Sequence, residues 1–204
     1  MISVVSINVN HFYAEEIQRI ELYAERRKRS IKDQLGAGFD GIVVSTNNQT
    51  AIKALRYEKL YQRERDVYIR LEQHDIGEIE GFAVPRLIGQ HDELWIIEME
   101  IVSPPFVVDF AGAYLDEEPP YLRDPEVMSL WATEKREQFG DQWSEVKTLL
   151  AAFRRFGVYL ADVKPGNVTF LSDFGSTQIQ SPRAVADLFD LRPNTIAKRQ
   201  EQIV

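Results

Sequence analysis

Residues 36–43 read Gly36-Ala37-Gly38-Phe39-Asp40-Gly41-Ile42-Val43, a G-x-G-x-x-G-x-V run. Glycines so spaced let backbone N–H groups come close enough to bond a phosphate, because no Cβ stands in the way. The segment directly after the run decides which fold can use it. A dinucleotide-binding fold puts a helix directly after the glycines, whereas Ile42-Val43-Val44 is β-branched and reads as a strand. The run therefore predicts a strand–turn–strand unit over 35–46, and the parallel βαβ alternative loses on this point.

The neighbouring segments extend that unit into a sheet. Strand-like runs stand at 50–55, 82–88 and 93–102. Between the first and second of these lies a helix over 56–73, with Leu60, Glu64, Val67, Tyr68 and Leu71 on one face. Upstream, 2–9 reads as a strand and Asn10 caps a helix predicted over 11–34. That helix carries Arg26-Arg27-Lys28-Arg29, which reads as a solvated face beside Glu15, Glu16 and Glu21, or else as a patch for phosphate or an acidic partner. Pro104-Pro105 breaks the pattern like a hinge. A short helix over 106–115, a loop over 116–125, helices over 125–138 and 142–156 ending at Gly157, and a short helix over 183–191 with a polar tail complete the chain. One helix set among antiparallel strands, with a helical part after them, predicts an α+β fold.

Composition removes several kinds of chemistry. The 204 residues include no Cys, which excludes disulfides, cysteine nucleophiles and Cys-ligated zinc. His11, His74 and His91 lack metal-ligand spacing. With 24 Lys and Arg against 32 Asp and Glu, the net charge of −8 argues against a general binder of nucleic acid or anionic membrane. No apolar run reaches the roughly eighteen residues that a membrane span needs. The expectation is a soluble, cytoplasmic chain without a membrane partner.

Charged residues with possible roles in catalysis are spread along the chain. Ala51-Ile52-Lys53 places a lysine on a strand facing the glycine turn, and Glu64 lies on the inner face of the next helix. Far downstream come Asp162-Val163-Lys164-Pro165-Gly166-Asn167 and Asp173-Phe174-Gly175. Taken singly, Lys53 and Glu64 read equally well as surface residues, and Asp-Phe-Gly as a turn.

In this order the motifs resemble the protein-kinase-like superfamily over residues 36–175. Gly36–Val43 is similar to its glycine-rich loop, Ala51-Ile52-Lys53 to its lysine strand, Glu64 to its helix glutamate, and Met99-Glu100-Ile101-Val102 to its gatekeeper and hinge. DVKPGN and DFG are similar to its catalytic loop and metal motif. The resemblance implies a two-lobed α+β fold. Residues 1–34 would be an N-terminal strand–helix extension, 35–102 a small lobe with an antiparallel sheet and one helix, 103–176 a reduced helical large lobe, and 177–204 a C-terminal helix and tail.

The resemblance also implies ATP and Mg in the cleft between the lobes. Gly36, Gly38 and Gly41 would meet the phosphates. Val43 and Ala51 would cover the adenine, with Val168 or Phe170 beneath it. Met99 would be the gatekeeper, and backbone groups of Glu100 and Val102 would bond the adenine edge. Lys53, fixed by Glu64, would position phosphates, Asp162 would orient or deprotonate the acceptor, and Lys164 would steady the transferred group. Asn167 and Asp173 would hold magnesium, with Tyr68 and Phe174 stacked behind. The implied reaction is γ-phosphoryl transfer to a hydroxyl, Ser or Thr. A nucleotide-binding pseudokinase and a small-molecule phosphotransferase or ATPase of related fold are the alternatives.

Three departures stand out. Leu160-Ala161 occupy the place of the family's His-Arg, so switching through a phosphorylated loop is not expected. No Ala-Pro-Glu comes after Gly175, an economy similar to RIO-type minimal kinases. Asn167 and Asp173 are six residues apart, about 20 Å if extended. They reach one metal only if Val168–Ser172 forms a tight hairpin, and that stretch has no Gly, Pro or Asn.

Overall fold

The structure is a computed structural model describing residues 11–173. The strand predicted at 2–9, the helix at 183–191 and the 177–204 segment lie outside these residues. So do Phe174 and Gly175.

After one turn of 3-10 helix the chain enters α1 (Ala14–Arg27). This helix stops where Lys28 turns left-handed (φ 54°) and Lys28 and Arg29 donate back to the Glu25 and Ala24 carbonyls. The helix predicted over 11–34 therefore ends early, and β1 (Ile31–Gly38) begins inside it. β2 (Gly41–Thr46) and β3 (Thr50–Leu55) complete a meander, and α2 (Glu58–Gln73) comes after it. Next come β4 (Glu78–Ile79), β5 (Phe82–Ala83), β6 (Leu87–His91) and β7 (Ile96–Glu100). β8 (Phe106–Val107), β9 (Tyr114–Leu115), α3 (Pro125–Phe139), α4 (Trp143–Arg154), β10 (Val158–Tyr159) and β11 (Val168–Thr169) finish the described chain.

The fold is α+β, built on an antiparallel sheet of order β1-β2-β3-β7-β6. Its central strands are buried on both faces, which explains why they read as continuous apolar runs. Ile42, Val44, Ile52, Ala54 and Ile96 face Ile17, Ile20, Tyr23 and Ala24 of α1. Ala51, Leu55, Ile97 and Met99 face the other way, into the core that contains Tyr61, Val67, Tyr68 and Leu71 of α2. Lys53 alternates with Ile52 and Ala54, so the pleat turns it away from α1.

Glu98 has the opposite parity and points at α1, fully buried. It accepts from Thr50 Oγ1 at 2.8 Å, Tyr23 OH at 3.0 Å and Arg29 Nε at 2.8 Å, with Arg27 Nε at 3.4 Å. Burial alone would raise its carboxyl, but the bonds from Thr50, Arg29 and Tyr23 outweigh it and hold the group below the usual range. Burial and Glu98 in turn push the Tyr23 phenol up to about 12. Arg27 and Arg29 are thus ties between α1 and the sheet rather than parts of a solvated patch. Replacing Glu98 with Ala should destabilise the protein by about 3 kcal/mol, since it leaves the largely buried Arg29 without its partner. A carboxyl depressed on folding stabilises above its unfolded pKa and loses that contribution as pH falls through the folded one. Urea melts should therefore show the gap between wild type and Glu98→Gln wide at pH 7 and narrowing in acid; a constant gap would refute the assignment.

A second sheet of order β11-β8-β5-β4 differs most from expectation. The segment 106–115, predicted as a helix, is instead β8, an irregular turn and β9. β8 pairs antiparallel with β11 (Val107 with Val168, Phe106 with Thr169) and parallel with β5. β11 lies far along the chain, so the local pattern could not reveal the pairing. The run at 82–88 is likewise divided, β5 joining this sheet and β6 the first. α3 starts where Asp124 accepts from Glu126 N at 2.8 Å, with Pro125 at its first position. Among the described residues no helix is long and apolar enough to cross a membrane.

Candidate functional site

A cleft of about 450 Å³ opens between the β1–β2 hairpin, β3 and the second sheet. Gly41 begins β2 with φ 149°, and a Cβ there would stand 1.9 Å from the Ala54 carbonyl oxygen, so only glycine fits. At Gly38 a Cβ would meet nothing within 4 Å, so packing does not explain that glycine. Val43 and Ala51 line one wall, and Met99 to Val102 continue it along the end of β7. Tyr68 OH donates to Met99 Sδ at 3.0 Å and pins that side chain. Opposite stand Phe106 and Val108. Val168 and Phe170 do not line the cleft: both are buried, and Phe170 packs edge-on against Phe82 with ring centres 5.1 Å apart.

Lys53 reaches the cleft from β3. Its Nζ lies 2.7 Å from Glu64 Oε2 and 2.8 Å from Asp109 Oδ1. Glu64 arrives on the inner face of α2 between Tyr61 and Tyr68, and its oxygens contribute charge without aligned hydrogen bonds. Burial opposes the Lys53 charge, but Asp109 and Glu64 more than compensate and raise its pKa. Burial would raise Asp109, yet Lys53 holds it below the usual carboxylate range. Fully enclosed Glu64 is pushed up to about 7, chiefly by burial. One ammonium thus serves two carboxylates, of which Asp109 stays the more firmly ionised.

The stretch 162–167 forms the facing surface. Lys164 Nζ donates to Asp162 Oδ2 at 2.6 Å, and Asn167 Nδ2 donates to Asp162 O at 2.9 Å and Oδ2 at 3.2 Å. Gly166, at φ 95°, allows the turn that bonds Asn167 N to the Lys164 carbonyl at 3.1 Å. Asp40, at the tip of the glycine hairpin, completes the arrangement. Asp40, Asp109 and Asp162 each offer a carboxylate oxygen, and these atoms all lie within 4.8 Å of one another. Burial and the Asp109 charge raise Asp40 above its usual range.

The cleft therefore brings together Gly36, Gly38, Gly41, Val43, Ala51, Lys53, Glu64, Met99, Glu100, Val102, Asp162, Lys164 and Asn167. It does not bring in Asp173. No hairpin forms over 168–172: β11 runs into a short 3-10 turn, and Asp173 closes it by accepting from Phe170 N at 2.7 Å and from Gln142 Nε2 at 3.3 Å. The acid beside Lys53 and Asn167 is Asp109, which sequence reasoning misses. Val108 N donates to the Asn167 carbonyl at 2.9 Å in line with the β8–β11 pairing, and that bond sets Asp109 next to Asn167. Phe110 then stacks edge-on against Tyr68, ring centres 5.2 Å apart, the position expected for Phe174.

The sequence does carry a signal for this. Asp109-Phe110-Ala111-Gly112 is also an Asp-Phe with small residues after it, and Phe106-Val107-Val108 before it is a strand-like run. The resemblance in motif order instead points to an acid downstream of Asn167, at Asp173. Compared with known proteins, the chain matches no protein-family model and no curated sequence, so its chemistry has to be argued from the cleft.

Proposed function

We propose that the chain binds Mg-ATP in this cleft and transfers the γ-phosphoryl group to a hydroxyl, as a two-lobed protein-kinase-like phosphotransferase. In this reading the first sheet with α2 is the small lobe, and α3, α4 and the loops around them are a reduced large lobe. One juxtaposition carries it: an ammonium held between Glu64 and Asp109, in the same cleft as Asp162 and beneath a glycine hairpin. The donors suit the metal, since Asp40, Asp109 and the Asn167 amide offer hard oxygens with no sulfur or imidazole among them, which leaves Asp162 for the acceptor. Asp109 replaces Asp173 as the acid expected to hold it. Bound magnesium would neutralise charge on the terminal phosphates.

The protein's own residues do the rest. Backbone N–H groups of the hairpin and Lys53 hold phosphate oxygens, and Glu64 keeps Lys53 from swinging away. Asp162 accepts the hydrogen bond of the attacking hydroxyl, with Asn167 fixing its carboxylate. The acceptor oxygen forms a bond to the γ-phosphorus while the bond to the bridging oxygen breaks. ADP leaves with the electron pair, and the acceptor's proton passes to Asp162. Lys164 tracks the charge of the transferred group.

A ligand that binds only the folded state raises the melting temperature, by about 2.7 kcal/mol of stability at a hundred times Kd. Mg-ATP should produce such a shift, and labelled γ-phosphate should then pass to a Ser or Thr acceptor. No shift at millimolar nucleotide, with or without metal, would refute the reading. A shift without transfer to any acceptor or to water would leave a nucleotide-binding pseudokinase.

A further inference from the structure

Outside the cleft lining, a short way along the chain from the Gly112–Asp162 contact, side chains meet that phosphoryl transfer does not use. Arg63 precedes Glu64 on α2 and so projects from the adjoining face of the helix. Its guanidinium lies over the Tyr114 ring, 4.4 Å from the centroid. Tyr114 stands two residues beyond Gly112, whose backbone approaches Asp162 so closely that an added Cβ would come within 3.2 Å of the Asp162 Cβ. Tyr121, from the 3-10 turn Pro120–Arg123, is 46% exposed. Burial raises its phenol, and Tyr114 and Asp162 raise it further against the opposing charge of Arg63.

Arg63 differs from its neighbours on the same helix. Arg65 is paired with Asp66 at 2.7 Å and Arg70 with Asp116 at 2.8 Å. Among the described residues Arg63 has neither an ion pair nor a hydrogen bond. A guanidinium lying over an aromatic face keeps N–H donors free for a planar or tetrahedral anion. Linked to Asp162 through Tyr114 and Gly112, such an edge bears on what an acceptor held at Asp162 carries at a distance from its hydroxyl.

We infer that Arg63, braced by Tyr114, is the acceptor-side subsite and binds a carboxylate or phosphate carried by the hydroxyl acceptor. Arg63 is thus a specificity-determining residue for acidic acceptors, an inference that rests on the phosphotransfer reading. The anion can belong to an acidic residue next to a Ser or Thr in a peptide, or to a small hydroxy acid or sugar phosphate. The chemistry recognised is the same.

Isothermal titration of the full chain tests this without requiring turnover. The probes are a Ser peptide flanked by Glu, the same peptide flanked by Ala, glycerol 3-phosphate and glycerol. The wild type should prefer at least one anionic probe to its neutral counterpart, and whichever pair shows the preference identifies the source of the anion. Arg63→Gln should weaken that probe by about ten- to a hundredfold, the usual worth of a charge-assisted bond, and leave the Mg-ATP thermal shift in place. Arg63→Lys, which keeps the charge but not the fork, should retain the preference at lower affinity and controls for loss of packing. In a transfer assay the Gln variant should raise KM for the acidic acceptor with little change in kcat. Equal binding of anionic and neutral probes by wild type, or a preference that survives in Arg63→Gln, would overturn the inference. Absence of an Mg-ATP shift in wild type would instead overturn the phosphotransfer reading, while the anion preference at Arg63 would stand or fall on the binding comparison alone.

Discussion

Asp109→Asn should abolish most magnesium-dependent nucleotide binding without unfolding the protein, and Asp173→Asn should not. The opposite is expected from the order of motifs in the sequence, which points to Asp173. Asp109 shares Lys53 with Glu64 and lies within 4.8 Å, oxygen to oxygen, of Asp40 and Asp162. Removing its charge takes away a hard ligand and should weaken Mg-ATP by at least about tenfold, which corresponds to about 1.4 kcal/mol. Stability at pH 7 should fall only modestly: the depressed Asp109 carboxyl stabilises the fold, but it is partly exposed and Lys53 keeps Glu64 as its partner. Asp173 closes a local turn through Phe170 N, so its loss should cost about 1 kcal/mol of stability and leave metal dependence alone. Nucleotide titrations with and without magnesium, alongside thermal melts, separate the two. If Asp173→Asn loses the metal dependence and Asp109→Asn retains it, the placement of the metal acid is refuted.

Asp162→Asn should lower phosphoryl transfer by about 10²–10⁴-fold, the usual worth of acid–base catalysis, while nucleotide affinity changes little. The amide keeps an acceptor oxygen for Asn167 Nδ2 and Lys164 Nζ but loses the basicity that receives the hydroxyl proton. The fold should be indifferent, because the Asp162 and Lys164 side chains are 40% and 36% exposed and such a pair contributes little. Single-turnover transfer, measured beside nucleotide binding, reads the two effects independently. Full transfer by the variant would show that another group takes the proton.

The glycine hairpin, β3 and α2 are legible in the sequence because their signals are local. Turn residues, period-two alternation and a three-and-four apolar spacing each act within a dozen residues. Lys53 and Glu64 emerge the same way, one on a strand facing the turn and the other on the buried side of a helix. Asp162, Lys164 and Asn167 sit within one short loop, so their proximity needs no tertiary information.

Features beyond that range are decided by the tertiary structure. β8 is two residues long and carries no period, and its partner β11 reaches it only after α3 and α4 have carried the chain away and back. That pairing makes Asp109 the neighbour of Asn167, and no local pattern encodes it. The same holds for Arg27 and Arg29. A basic cluster at the end of a helix reads as solvated until the pleat of β7 turns Glu98 toward it, and only the packing of α1 on the sheet places that carboxylate within reach. Short-range order in this chain comes from residue type and spacing; long-range pairing of brief strands and buried charges comes from which surfaces must exclude water together.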